Sequence, residues 1–203
     1  MKNKQIIIHH ISDTHGYHFE PQEADILIHS GDACSHFGTE DEFQQFLFQL
    51  EAVKRKYKQI IFIPGNHERL LSLYFLMDKY KKLLKEEFNT TLLFNETIEM
   101  FGIKFGGYSY TQIFKNWAFE KSANERKTFL KKFPSVDILI SHCPPKSICR
   151  FGDEFLDVWL LKNKIKLMLC GHDHENKGEY THLNKITKIY NSATTSNLIT
   201  YVK

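Results

Sequence analysis

Residues 59–68, QIIFIPGNHE, decide the fold. A short β-branched apolar run stops abruptly at Pro64-Gly65 and opens into a loop carrying Asn66, His67 and Glu68. The same design recurs four times. Residues 5–11 (QIIIHHI) lead to Ser12-Asp13-Thr14-His15, and residues 24–29 (ADILIH) lead to Ser30-Gly31-Asp32. Residues 136–140 (VDILI) lead to Ser141-His142, and residues 166–170 (KLMLC) to Gly171-His172-Asp173-His174. Apolar runs this short, bounded by turn signals, read as buried strands. Open α/β sheets bind ligands beyond the carboxyl ends of their strands, so five such loops have the means to meet at one site.

Helical patterns separate some of these strands. Thr39 and Glu42 form a T-x-x-E capping box ahead of Phe43, Phe46, Leu47, Leu50 and Val53 at helical spacing. Residues 70–87, 122–132 and 154–162 also predict helices. Residues 91–108, broken at Asn95, Phe101-Gly102 and Gly106-Gly107, predict a β-meander, and residues 178–202 predict further short strands. The result is an α/β framework with antiparallel strands added in its second half, and 203 residues suit one domain over residues 1–203.

Composition narrows the class. Apolar and charged fractions of 42% and 25% are those of an ordinary water-soluble chain, and a formal charge of +3 is too mild for a surface that coats nucleic acid. The segment MKNKQIIIHHISD lacks the long apolar core and cleavage site of a signal peptide, and no stretch approaches a membrane span. Cys34, Cys143, Cys149 and Cys170 form no C-x-x-C pair, which favours reduced thiols and a cytoplasmic location.

The five loops together hold three aspartates, an asparagine and five histidines. Mixed oxygen and imidazole donors suit Mn, Fe or Zn better than Mg or Ca, and the absence of thiolates from the key positions argues against structural zinc. In the order D-x-H, GD, GNHE, H, GHxH, the chain resembles the calcineurin-like metallophosphoesterases from Asp13 to His174. ISDTHG, ADILIHSGD, GNHE, NWAF at residues 116–119 and DILISHCPP resemble most the small cyclic-nucleotide-type phosphodiesterase branch, the metallophosphoesterase-domain proteins.

That resemblance implies a four-layer sandwich, with two central mixed sheets flanked by helices, and a centre of two divalent ions. Manganese is the expected metal, with iron, zinc, nickel or magnesium as alternatives. Asp13, His15 and His174 would bind one ion, Asn66, His142 and His172 the other, and Asp32 would bridge them. A hydroxide shared by the ions would attack phosphorus in line, while His67 contacts the phosphate and protonates the leaving oxygen. The implied substrate is a small nucleotide-like phosphodiester. A phosphomonoesterase ranks lower, because serine/threonine phosphatases of the family carry GDxxDRG and RGNHE where this chain has GDACSHFG and PGNHE. A nuclease on extended nucleic acid and a non-enzymatic interaction module rank lower still.

Other residues carry two readings each. His9 and His10 lie within a strand run and read as satisfied core histidines. His18 and His36 belong either to the rim of the site or to exposed loops. Arg69 either holds a substrate phosphate or is solvated. Tyr110 and Trp117 are candidates for stacking on a substrate, although aromatic residues are more often core. The basic run Lys54, Arg55, Lys56, Lys58 reads as a solvated helix end, and Cys143 and Cys170 as small buried residues at strand ends.

Overall fold

The computed structural model describes residues 5–203. In chain order the elements are β1 (Gln5–Ile11), β2 (Ile26–His29), α1 (Glu40–Val53), β3 (Gln59–Phe62), α2 (Tyr74–Glu87), β4 (Thr90–Leu92), β5 (Thr97–Met100), β6 (Ile103–Tyr108), β7 (Thr111–Gln112), β8 (Glu120–Lys121), α3 (Ala123–Lys132), β9 (Ile138–Ser141), α4 (Glu154–Asn163), β10 (Leu167–Cys170), β11 (Gly178–Thr181), β12 (Lys188–Asn191) and β13 (Ser196–Val202). One sheet runs β13-β1-β2-β3-β4, and the other β11-β12-β10-β9-β6-β5. β1 to β4 are parallel and β13 is antiparallel to β1. In the second sheet β12, β10, β9 and β6 are parallel, with antiparallel β11 and β5 at its edges.

The period of two along each strand builds the layers. Ile6, Ile8, Ile26, Ile28, Ile61 and Ile63 face Ile103, Phe105, Ile138, Ile140, Leu167 and Leu169 between the sheets. The intervening residues Leu27, Ile60 and Phe62 turn outward onto α1 and α2, where Phe43, Phe46, Leu50, Tyr80 and Leu84 complete a second core. Leu139 and Met168 turn outward onto α3 and α4. The molecule is therefore the expected four-layer sandwich. Strands covered on both faces read as continuous apolar runs, which is why the sequence shows them so clearly.

Local signals set the helix ends. The Thr39–Glu42 capping box forms at the start of α1, and Ser122 with Glu125 forms a second one at α3. The pattern over residues 70–87 is not one helix. Arg69–Ser72 is a 3₁₀ turn, Leu73 is extended, and α2 begins at Tyr74. The cause is tertiary: Leu70 N donates to Gly38 O, and Ser72 Oγ donates to Arg69 O, so the chain leaving Glu68 is held off the α2 axis.

Residues 91–108 do not form a meander either. β4 pairs in parallel with β3, and the chain then crosses to the other sheet for the β5–β6 hairpin. Alternation shows a strand but not its partner. Among the described residues, no helix is long and apolar enough to cross a membrane.

Candidate metal centre

The loops after β1, β2, β3, β9 and β10 converge where the two sheets meet edge-on. Three clusters form there: Asp13, His15 and His174; His15, Asp32 and His67; and Asp32, His142 and His172. Within each, the donor atoms lie within 4.8 Å of one another. Asp32 and His15 each belong to two of them. The loops bring these donors close by strained means: Asp13 (φ 53°), His15 (46°), Asp32 (56°) and His172 (69°) all adopt the left-handed region. Gly65 and Gly171 admit no side chain. A Cβ on Gly65 would strike Asp32 and His142, and one on Gly171 would strike Ser12 and Asp13.

Hydrogen bonds aim the donors. Nδ1 of His142 donates to Ser30 O (2.8 Å) and Nδ1 of His15 to Cys34 O (3.1 Å), so each ring turns its Nε2 inward. His142 Nε2 lies 3.3 Å from Asp32 Oδ2 and 3.0 Å from Asn66 Oδ1. His174 Nε2 lies 3.1 Å from Asp13 Oδ1 and 3.4 Å from His15 Nε2. Asp13 also accepts from Ser12 Oγ (2.5 Å) and His172 N (2.9 Å), and Asp32 Oδ1 accepts from His67 N (2.8 Å).

The electrostatics favour cations. Burial opposes the charge on Asp32, yet His142, His67 and His172 hold its carboxyl well below the usual range. Burial likewise opposes the charge on Asp13, and the His174 hydrogen bond with nearby His142 lowers it. Burial works to lower His142, but Asp32 and Asp13 drive it up to about 9. His172, buried and beside His142, is lowered to about 4. Buried carboxylates here collect positive charge from whatever can supply it, protons included.

Two residues behind the ligand loops escaped the sequence reading. The buried Glu68 carboxylate accepts from Asp32 N (2.9 Å), Gly65 N (2.6 Å) and Cys34 N (2.9 Å), locking two loops together. Burial, then the Asp32 charge, lifts it to about 7. His29 accepts from Gly31 N at Nδ1 (3.2 Å), so its Nε2 carries the proton and donates to Thr14 Oγ1 (3.0 Å), joining the loops of Asp13 and Asp32. Glu68 was visible as the last letter of GNHE. His29 carried no signal beyond its place at a strand end.

The remaining sequence candidates divide. His18 and His36 line the same cleft as Asp13, Asp32, Asn66, His67, His172 and His174. His18 pairs with Glu20 at 3.7 Å, and the His36 ring centroid is 6.5 Å from that of His67. Arg69, Trp117 and Tyr110 do not line it. Trp117 instead stacks on His67, with centroids 4.4 Å apart and rings inclined by 25°. Arg69 stands over the Trp117 ring at 5.6 Å and donates to Asn116 O. These two pack against His67 on a side that does not line the cleft.

Tyr110 packs among Phe94, Tyr108 and Phe129, against a separate cavity at α3. His67 Nδ1 donates to Ser35 O, its Nε2 lies 3.8 Å from Asp32 Oδ2, and burial lowers its pKa. His10 bonds Ser30 (2.5 Å) and Ser192 (2.7 Å) and is a satisfied core histidine, whereas His9 bonds Tyr57 at Nδ1 (2.7 Å) and its buried Nε2 has no partner among the described residues.

A family model described as calcineurin-like phosphoesterase matches residues 6–176. The chain belongs to that family. The family is one of phosphoesterases, and the histidine and aspartate clusters offer the donors that divalent ions take.

Among curated proteins it is 28% identical over 210 residues to UPF0046 protein T07D4.2 of Caenorhabditis elegans, covering 83% of this chain and 51% of that protein. It is 26% identical over 180 residues to the probable rhamnogalacturonate lyase C of Emericella nidulans, covering 83% of this chain and 17% of that protein. The chain thus spans about half of one relative and about a sixth of the other.

Proposed function

We propose that the protein is a phosphodiesterase acting on a small nucleotide-like ester with manganese at its centre. The observation that carries the diester reading is the charge of the cleft. Its volume is about 920 Å³, and among the described residues that line it there is neither lysine nor arginine. A monoester dianion calls for cationic side chains beyond the metals. A diester bears a single charge and needs none.

The residues fit divalent ions. Nε2 of His15 and Nε2 of His174 face each other at 3.4 Å, within reach of one shared cation. Asp13, His15 and His174 would hold one ion, Asn66, His142 and His172 the other, and Asp32 would serve both. Mixed imidazole and oxygen donors suit manganese. Ions held there supply Lewis-acid stabilisation of the phosphoryl oxygens and activate water near neutral pH.

The chain's own groups do the rest. His67, fixed by Ser35 O and by Trp117 behind it, presents Nε2 to the cleft, where it donates a proton to the leaving alkoxide oxygen. Asp32 orients His67 through its backbone N–H, and its carboxylate, 3.8 Å from Nε2, favours the imidazolium that gives up that proton. Four buried, unpaired cysteines support a reducing compartment, the cytoplasm.

The test compares kcat/KM of the manganese-loaded protein on bis-(p-nitrophenyl) phosphate and p-nitrophenyl phosphate. The diester is expected to react faster; a clear preference for the monoester overturns the reading.

A further inference from the structure

The cleft extends well past the metal centre. One wall is the loop after His15, with Tyr17, His18 and Glu20; the other is the turn between β12 and β13, with Thr194, Thr195 and Ser196. A volume of about 920 Å³ lies at the upper end of small-molecule sites and far exceeds what a phosphoryl group fills.

Both walls are built before any ligand arrives. Thr194 adopts φ 55°, a conformation that is costly for a β-branched residue. It is held there by its N–H bond to Ser12 O (3.1 Å), which pins the turn directly beside Asp13. The opposite loop is tied by Gly16 N to Ala33 O (2.8 Å) and by Gln49 Nε2 to Gly16 O (3.1 Å). Gln22 Nε2 then joins the two walls through Ser196 Oγ at 3.0 Å.

The chemistry of this arm is specific. It offers exposed hydroxyls from Thr194, Thr195 and Ser196 on one side, and the face of Tyr17, 79% exposed, on the other. Its carboxylate is Glu20, and the Lys177 ammonium reaches the hydroxyl wall as a donor to Thr194 Oγ1 (3.0 Å). A second anionic group on the substrate would meet Glu20, which lines the cleft, whereas Lys177 does not line it and is engaged with Thr194. An uncharged ring bearing hydroxyls meets donors, acceptors and a π face.

We propose that this arm is the subsite for the alcohol part of the diester, and that it takes an uncharged nucleoside, with the base on Tyr17 and the sugar hydroxyls on Thr195 and Ser196. The assignment rests on the diesterase reading above and adds to it the identity of the group next to phosphorus. Stacking of a base on an aromatic side chain tolerates any base, so the subsite selects nucleosides as a class.

The experiment uses the manganese-loaded protein with two substrates that share a leaving group: thymidine 5′-(p-nitrophenyl) phosphate and methyl p-nitrophenyl phosphate. Wild type is expected to favour the thymidine ester. Tyr17→Ala is expected to raise KM for that ester by about tenfold, the scale of one base stack, with KM for the methyl ester unmoved. Thr195→Val with Ser196→Ala should raise it by a few-fold, about one hydrogen bond's worth.

Calorimetric titration with thymidine 5′-monophosphate and with methyl phosphate reads binding without turnover, and the Tyr17→Ala loss should appear for the nucleotide alone. Equal changes with both substrates, or none, overturn the subsite. If neither diester turns over while p-nitrophenyl phosphate does, the diesterase reading fails. The calorimetric difference then still decides whether the arm binds a nucleoside.

Discussion

On one side of the centre the His142 side chain is wholly buried and that of Asp32 is 3% exposed, while on the other His15 keeps 18% and His174 46% of theirs in solvent. The deep half is assembled by folding itself. His142 leaves the end of a central strand in one sheet and hydrogen-bonds Ser30 at the end of a strand in the other. Asp32 and Gly65 are held by one Glu68 carboxylate. The open half is built on turns, with His174 fixed chiefly by Asp13, the residue it would share a metal with. The difference teaches that the two donor groups are unequally buried, so ions held there would differ in their access to solvent.

The strongest way to break that comparison is Asp32→Asn, because Asp32 is the residue both halves share. An amide loses the charge that both proposed ions need. Metal content should fall at both positions together, and activity by on the order of 10³-fold or more, comparable to removing a main electrostatic stabiliser. Elemental analysis showing one ion retained at full occupancy would mean the halves are independent.

His67 shares a donor cluster with His15 and Asp32, but in the proposed reading it is the proton donor and not a ligand, so His67→Ala should leave two ions bound. Turnover should fall by about 10²–10⁴-fold on an ester with an alkyl leaving group, and by much less with p-nitrophenolate, which departs without a proton. Loss of metal would make His67 a ligand. Equal slowing on both esters would make it a phosphate-positioning group.

The smallest effect sharpens the comparison most directly. Chelator titration of the manganese-loaded protein should proceed in two steps, with the ion of the open half leaving first. His174→Ala should weaken that first step by about 10–100-fold and leave the second in place. His142→Ala should disturb the tighter step and also lower thermal stability, since it leaves Asp32 buried with less compensating charge. A single step in wild type would show that burial does not set the order of release.

How much of this was legible beforehand follows from the range of each interaction. The buried strands announced themselves because both faces of each sheet are covered, and β1 coincides with the apolar run at residues 5–11. The capping box at Thr39 and Glu42 was readable because its bonds span three residues. The seven proposed ligands could be named because the resemblance to the calcineurin-like family implies them, and their loops lie at or near strand ends.

What only the tertiary structure decided is everything that depends on a partner distant in the chain. β4 joins the first sheet and β5 the second because β3 and β6 offer the free edges, a choice that alternation alone cannot express. Trp117 lies behind His67, not in the cleft, because Ala118 N reaches across to Asn66 O (3.1 Å) and fixes that loop. Glu68 works through backbone N–H groups, which all residues but proline possess, and His29 through one such group and the Thr14 hydroxyl. Residue type could say which atoms are able to bind a metal; only the close passage of loops some 160 residues apart, seen where His174 meets Asp13 with |i−j| = 161, could say which of them meet.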